Sequence, residues 1–198
     1  MRVAVFGARG RTGRLVVEEL LKAGHTIVAA TRRGESMGGA TAVAAEPATG
    51  KGVEAAVEHC DAVVNAMASG KGNPAGSGLA RALRDREGLR YVTVGGAAVD
   101  VPGDRKGAVD KLVSWISRTV AKEVVLDRQE ELSILQGSRL RWTMLRPPRL
   151  VDGPPKGEVK VSFERPPSIQ ITRADLARKV VEALADDSLA GRAPFVSN

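Results

Sequence analysis

The sequence predicts an α/β fold: a doubly wound parallel sheet with helices on both faces. Three observations carry that prediction. Short, Val-rich apolar runs recur from Val3 to Leu145. Stretches of helical spacing separate those runs, and a glycine-rich turn joins the first run to the first helix. Strands that alternate with helices connect by right-handed crossovers and so lie parallel.

Arg2 to Phe6 is the first strand, an unbroken apolar run of the kind that is buried on both faces. Gly7, Gly10 and Gly13 follow at Gly-x-x-Gly-x-x-Gly spacing, and Leu15, Val16, Leu20 and Ala23 then recur at helical spacing up to a Gly24 cap. His25 to Ala30 is the second strand, 34–39 a loop, and Thr41 to Ala45 a weak third strand. Val53 to Cys60 reads as a short helix, and Asp61 to Met67 as the fourth strand. The Gly-, Ser-, Asn- and Pro-rich stretch from Ala68 to Gly78 is expected to be a loop, and Leu79 to Arg86 a helix. Leu89 to Val94 is the fifth strand, ending in Gly95-Gly96. Asp104 to Gln136 is a long helical region broken near its start, with Trp115, Val120, Val124, Val125, Leu132 and Leu135 on its apolar side. Leu140 to Leu145 is the sixth strand; Pro147-Pro148 stops it, and Arg146, as the residue before a proline, stays extended. Glu158 to Phe163 alternates as a half-exposed strand. Thr172 caps a last helix running to Ala185, with Asp175 in capping-box position, and Ala193 to Val196 forms a final strand. The expectation is one domain over 1–198, in which 147–198 contributes a small substrate-side lobe.

The opening strand, glycine turn, helix and second strand together form the context in which a glycine motif signals dinucleotide binding, a Rossmann-like unit. One glycine permits the tight turn, one lets backbone approach a pyrophosphate, and one lets helix and strand pack closely. The helix N-terminus offers N–H groups and positive dipole to the phosphates. The second strand ends Ala30-Thr31-Arg32-Arg33, with no carboxylate before Glu35. A carboxylate there suits the ribose hydroxyl of NAD, whereas guanidinium binds a 2′-phosphate bidentately. NADP(H) is therefore the expected cofactor, with Arg9 and Arg11 adding to the same pocket; the alternative is a solvated basic loop.

Composition narrows the function classes. Aromatics are 3% of 198 residues, which argues against stacking recognition of single-stranded nucleic acid. The net charge of +7 comes from Arg and Lys scattered through the chain, so a phosphate-bearing cofactor and solvated surface are preferred to a nucleic-acid partner. No run approaches the roughly 20 apolar residues of a membrane span, and the start lacks a secretory pattern. Cys60 is the one cysteine and there are two histidines, which gives no metal-ligand pattern and fits a cytoplasmic setting. The expected partner is a small-molecule substrate, with the chain a monomer or small homo-oligomer.

The segments VFGARGRTG, TRR, YVTVGGA, SRLRWTMLRPPRLVDGP and ITRADLARKVVEAL resemble an atypical short-chain dehydrogenase/reductase over essentially the whole chain. The resemblance is to the small NAD(P)H-binding, NmrA-like proteins and to the biliverdin reductase B/flavin reductase type. It implies that Gly7, Arg9, Gly10, Arg11, Thr12 and Gly13 wrap the diphosphate, with Arg32 and Arg33 on the 2′-phosphate. It places Ala66, Met67 and Ala68 on the ribose side, and Val94, Gly95, Gly96 and Pro147 on the nicotinamide side. Apart from the resemblance, the substrate walls are expected from the 97–106 loop, beginning at Ala97, from Pro148 to Leu150, and from the 153–168 region.

The departures bear on mechanism. Typical members of the superfamily use Tyr-x-x-x-Lys, but the one tyrosine, Tyr91, is followed four residues on by Gly95 and lies within a strand, where a core role is expected. Flavin-reductase relatives carry Thr-Ser where Gly95-Gly96 stand. Lys122 sits where relatives often carry a lysine: it is the candidate catalytic residue, through the nicotinamide ribose, or else a solvated helix lysine. Two function classes follow from the resemblance. One is an NADPH-dependent oxidoreductase passing hydride to a flavin, quinone or tetrapyrrole acceptor. The other is a non-catalytic, NADP(H)-binding redox regulator of the NmrA kind.

Overall fold

The computed structural model describes residues 1–68, 72–105, 107 and 121–198. Six parallel strands form the central sheet: β1 (Arg2–Phe6), β2 (Thr26–Thr31), β3 (Ala40–Ala44), β4 (Ala62–Asn65), β5 (Arg90–Val94) and β6 (Arg141–Leu145). Their order is β3-β2-β1-β4-β5-β6. The chain therefore reverses its direction of travel between β1 and β4, which sets a topological switch point at their carboxyl ends.

The inner strands are largely apolar because both faces of the sheet are covered, whereas β3 at the edge is partly exposed. Val3, Val5, Ile27, Ala29, Val64 and Val92 face one helical layer, made by α1 (Arg11–Lys22) and α5 (Arg173–Ala185). Ala4, Phe6, Val28, Val63, Tyr91 and Met144 face the other, made by α2 (Val53–Val57), α3 (Ala75–Leu83) and α4 (Lys122–Gln136). This is the doubly wound arrangement that the alternating pattern predicts. At the amino-terminal end of the sheet, the buried Arg90 donates to the carbonyl of Ala183 at 2.5 Å and to that of Leu184 at 3.3 Å, satisfying the end of α5.

Several boundaries differ from expectation. The helix expected from Leu79 begins at Ala75 and takes in Gly76, Ser77 and Gly78, because Asp127 on α4 accepts the N–H groups of Gly76 and Ser77, each at 2.9 Å. The short helix stops at Val57, where Glu58 turns extended and His59 takes a left-handed φ of 56°. The long helical region is helical from Lys122 to Gln136; Trp115 and Val120 lie outside the described residues. Two short strands were not expected, β7 (Arg149–Val151) and β9 (Gln170–Thr172), which pair with each other in parallel. The half-exposed strand contracts to β8 (Lys160–Ser162) and pairs antiparallel with β10 (Phe195–Ser197). Gly24, at φ 78°, ends α1 as anticipated. Thr172 accepts the Asp175 N–H at 3.0 Å and so caps α5. Arg146 continues β6 as an isolated parallel bridge to Phe195.

Candidate functional site

The site is built at the switch point, where the turn after β1 meets the loop after β4. Gly7 has φ 82°, a backbone region that side chains rarely adopt, and a Cβ there would stand 2.7 Å from Met67 N and 2.8 Å from the Ala66 carbonyl carbon. A Cβ on Gly13 would overlap the Gly7 carbonyl oxygen and stand 2.7 Å from its carbon. The turn is closed by Gly10 N–H to Gly7 O at 2.9 Å. Gly10 caps α1 with no side-chain acceptor, and the first turn of the helix holds no acid. The first helical bond runs from Arg14 N–H to Gly10 O at 3.0 Å, so the N–H groups of Arg11, Thr12 and Gly13 precede the ladder. Such an end suits an anion.

The basic residues distribute unevenly around this turn. Arg32 and Arg33 are exposed at the end of β2. Arg9 reaches the same end and pairs with Glu35 at 2.8 Å. A hydrogen bond from Arg9 outweighs desolvation and holds the Glu35 carboxyl below its usual range, with smaller contributions from the Arg9 charge, Thr31 and Arg33. Arg11 lies instead 3.8 Å from Asp152, an acid that also pairs with Arg173 at 2.7 Å.

On the nicotinamide side of the resemblance, β5 and β6 keep pairing past their ends. Gly95 N–H donates to Leu145 O at 2.8 Å and Ala97 N–H to Pro147 O at 2.9 Å. Val94, Gly95, Gly96, Ala97, Pro147 and Pro148 are thus brought together. Leu150 packs on the same apolar cluster as Ala66. Behind this rim Arg146 is buried, with its guanidinium 3.7 Å above the Phe195 ring. It donates to Val99 O at 3.0 Å and forks onto Asp104 at 2.7 and 2.8 Å, tying the 97–104 loop to the end of β6. Lys122 is exposed at the first position of α4.

Two groups escaped the sequence reading. Tyr91 is buried as expected, but its hydroxyl donates to Glu131 at 2.8 Å, and burial followed by the Glu131 charge pushes its pKa well up. The visible signal was Arg128 on the stripe that continues through Leu132 and Leu135, where an apolar residue would be ordinary. Asp175 is a hub as well as a capping residue, accepting from Lys156 N–H at 2.7 Å, Thr172 Oγ1 at 2.6 Å, Asn198 at 2.5 Å and Arg178. Away from the strand carboxyl ends, a cavity of about 370 Å³ walled by His59, Cys60, Asp61, Arg86 and Leu89 lies at the amino-terminal ends of β4 and β5. Burial raises the Cys60 pKa there, which disfavours the reactive thiolate. Among the described residues, no group of His, Cys, Asp or Glu could hold a metal ion, and no helix is long and apolar enough to cross a membrane.

A family model described as NAD(P)H-binding matches residues 7–187. The chain belongs to this NAD(P)H-binding family. Solved structures of the same fold cover 100% of this NAD(P)H-binding chain. A Bacillus halodurans protein provisionally named an NAD-dependent epimerase/dehydratase is 25% identical, with a TM-score of 0.78 and 94% of its own length covered. A Streptococcus pneumoniae protein provisionally named an NADH-flavin reductase is 22% identical, with a TM-score of 0.79 and 99% covered. The anaerobillin reductase ChuY from Escherichia coli is 18% identical, with a TM-score of 0.80 and 97% covered. The family match covers both the glycine turn and the Arg173–Ala185 helix that packs beside it.

Proposed function

We propose that this NAD(P)H-binding protein is an NADPH-dependent reductase that passes hydride to a small conjugated acceptor of flavin, quinone or tetrapyrrole type. The observation that carries the proposal is the uncapped start of α1. Three amides precede its hydrogen-bond ladder, in a turn where Gly7 and Gly13 leave no room for a side chain and beside three arginines. Those residues fit a dinucleotide. The diphosphate would rest on the N–H groups of Arg11, Thr12 and Gly13, with Arg32, Arg33 and Arg9 on the 2′-phosphate. Glu35 would then compete with the phosphate for Arg9, so that the ion pair must open for NADPH and can persist with NADH.

When bound, the nicotinamide cofactor supplies the hydride; the protein supplies position and electrostatics. Ala66, Met67 and Ala68 would flank the ribose, and Val94, Gly95, Gly96 and Pro147 the nicotinamide. Ala97, Pro148 and Leu150 would wall the acceptor, and Lys122 is the candidate for the nicotinamide ribose. Conjugated acceptors suit this rim, because water can deliver their proton where Gly95-Gly96 offer no hydroxyl.

The test is NADPH oxidation by purified protein against FMN, a quinone and biliverdin. Turnover on at least one acceptor, with NADPH preferred to NADH, is the expected result. Tight NADP⁺ binding without turnover on any acceptor would favour the redox-regulator reading instead. No binding of either dinucleotide would overturn both.

A further inference from the structure

Beneath the loop that follows β4 lies a cluster of ionised and polar side chains that hydride transfer does not itself require. Asp127, Arg128 and Glu131 project from α4 toward the sheet and are 6%, 4% and 0% exposed. Burying such charges is expensive unless each is paired and hydrogen-bonded. Glu131 Oε1 accepts from Tyr91 Oη and from Asn65 Nδ2, both at 2.8 Å, and Oε2 accepts from Arg128 Nη1 at 2.5 Å. Burial opposes the Arg128 charge, yet the adjacent Glu131 carboxylate more than offsets it and raises the guanidinium pKa.

The cluster acts on the two peptides that flank Met67. Arg128 Nη2 donates to the Met67 carbonyl, and Asn65 Oδ1 accepts the Met67 N–H at 3.1 Å. Met67 is thus held by both backbone polar groups, each by a side chain that Glu131 also holds. Peptide bonds throughout the described chain are trans, and a trans peptide sets the carbonyl of one residue antiparallel to the N–H of the next. With Met67 O turned inward to Arg128, the N–H of the exposed Ala68 turns the other way. Met67 N and the Ala66 carbonyl carbon stand where a Cβ on Gly7 would collide, so the preceding Ala66–Met67 peptide, whose N–H Asn65 holds, and the glycine turn are set against each other.

We propose that Arg128, held by Glu131, is a positioning residue for the dinucleotide: it turns the Met67–Ala68 peptide so that the Ala68 N–H faces the cleft beside the glycine turn. The proposal rests on the reading that this turn holds a nicotinamide dinucleotide. Well-packed neutral side chains can replace a buried ion pair with little or no loss of stability, so a role in stability alone and a directional role make different predictions.

The experiment compares the intact wild-type protein with Arg128→Met, Arg128→Lys and the double variant Arg128→Met/Glu131→Gln. NADPH and NADH affinities are measured by calorimetry at a temperature where every variant is folded, and thermal midpoints by circular dichroism. Arg128→Met should bind about tenfold more weakly, the loss of one directed hydrogen bond. The double variant, relieved of an unpaired buried carboxylate, should recover midpoint but not affinity. Arg128→Lys, whose single ammonium cannot reproduce the fork between Glu131 and Met67, should also lose affinity, and it carries the test where the Met variant fails to fold. Affinity that recovers together with midpoint in the double variant would overturn the proposal, as would wild-type affinity in Arg128→Lys. In both cases the wild-type protein still binds dinucleotide, so the functional reading survives. Absence of dinucleotide binding by the wild-type protein would instead remove the functional reading, and the positioning role with it.

Discussion

Gly13→Ala tests the glycine turn most directly. The added Cβ would overlap the Gly7 carbonyl oxygen and stand 2.7 Å from its carbon and 3.1 Å from Ala8 Cα. These are backbone atoms in a turn closed by the 2.9 Å bond between Gly10 and Gly7, so no side chain can rotate out of the way. Overpacking costs about 1–3 kcal/mol, and a rigid backbone neighbour puts this case near 3. Alanine returns about 1 kcal/mol of helix propensity, leaving a net loss of about 2 kcal/mol. For a chain of this size each kcal/mol moves the midpoint by about 2–4 °C, so thermal unfolding should shift down by about 4–8 °C. Gly10→Ala is the internal contrast. Its φ of −69° and ψ of 165° are open to any residue, and its Cβ would stand 3.1 Å from the Gly7 oxygen. The poorer cap costs about 1 kcal/mol or less, a shift of under about 4 °C. In the proposed site its Cβ would nevertheless intrude where backbone would approach the diphosphate, and dinucleotide affinity measured by calorimetry should fall by about tenfold or more. An unchanged midpoint in Gly13→Ala would refute the close packing of helix on turn. Unchanged affinity in Gly10→Ala would refute the turn as a phosphate site, whatever its effect on stability.

Replacing Arg32 and Arg33 together by Ala should remove about 1.5–3 kcal/mol of charge-assisted binding to a 2′-phosphate and collapse the preference for NADPH over NADH by about 10- to 100-fold; an unchanged ratio of the two affinities would exclude that pocket. Asp175 bears on acid stability. Burial opposes its ionisation, but hydrogen bonds from Lys156 N–H, Thr172, Asn198 and Arg178 hold its folded pKa well below the usual carboxylate range. Because the folded value is the lower one, its contribution is complete above the unfolded pKa of about 3.9 and fades as pH falls from there toward the folded value. Denaturant titrations from pH 6 to pH 2 should therefore show a wild-type advantage over Asp175→Ala that shrinks with acid, and an advantage independent of pH would count against this account. Arg146→Met removes the fork onto Asp104, and breaking such a buried pair should cost about 3–5 kcal/mol in urea unfolding; a loss below about 1 kcal/mol would mean that the 97–104 loop is held by other contacts.

What could be read from the sequence was what local sterics decide. A glycine at positive φ, a Val run ending in glycine, a threonine followed three residues later by an aspartate: each places its element without help from distant chain, and β1, α1, β2 and the Thr172 cap formed where they were expected. The start of α3 was not local. Its Gly-Ser-Gly turn is poor helix sequence, held helical by an Asp127 carboxylate about fifty residues away and by glycines that admit Pro47 and Arg128 at close range. β7 and β9 were invisible for a related reason: three residues are too few for a periodicity, and each exists as a strand through the other. The arginines divide along the same line. Arg32 and Arg33 stand at a strand end that any parallel sheet uses for ligands, whereas the pairing of Arg9 with Glu35 needed β1 and β2 to be laid side by side first. Arg128 is the limiting case. A charge on an apolar stripe is tolerable only where a counter-charge and acceptors meet it; here Glu131, one turn on in its own helix, and the Met67 carbonyl after β4 accept from Arg128, while Asn65 on β4 and Tyr91 on β5 donate to Glu131. The stripe showed that something polar had to be satisfied inside; which peptide it would satisfy was settled only by the strand order.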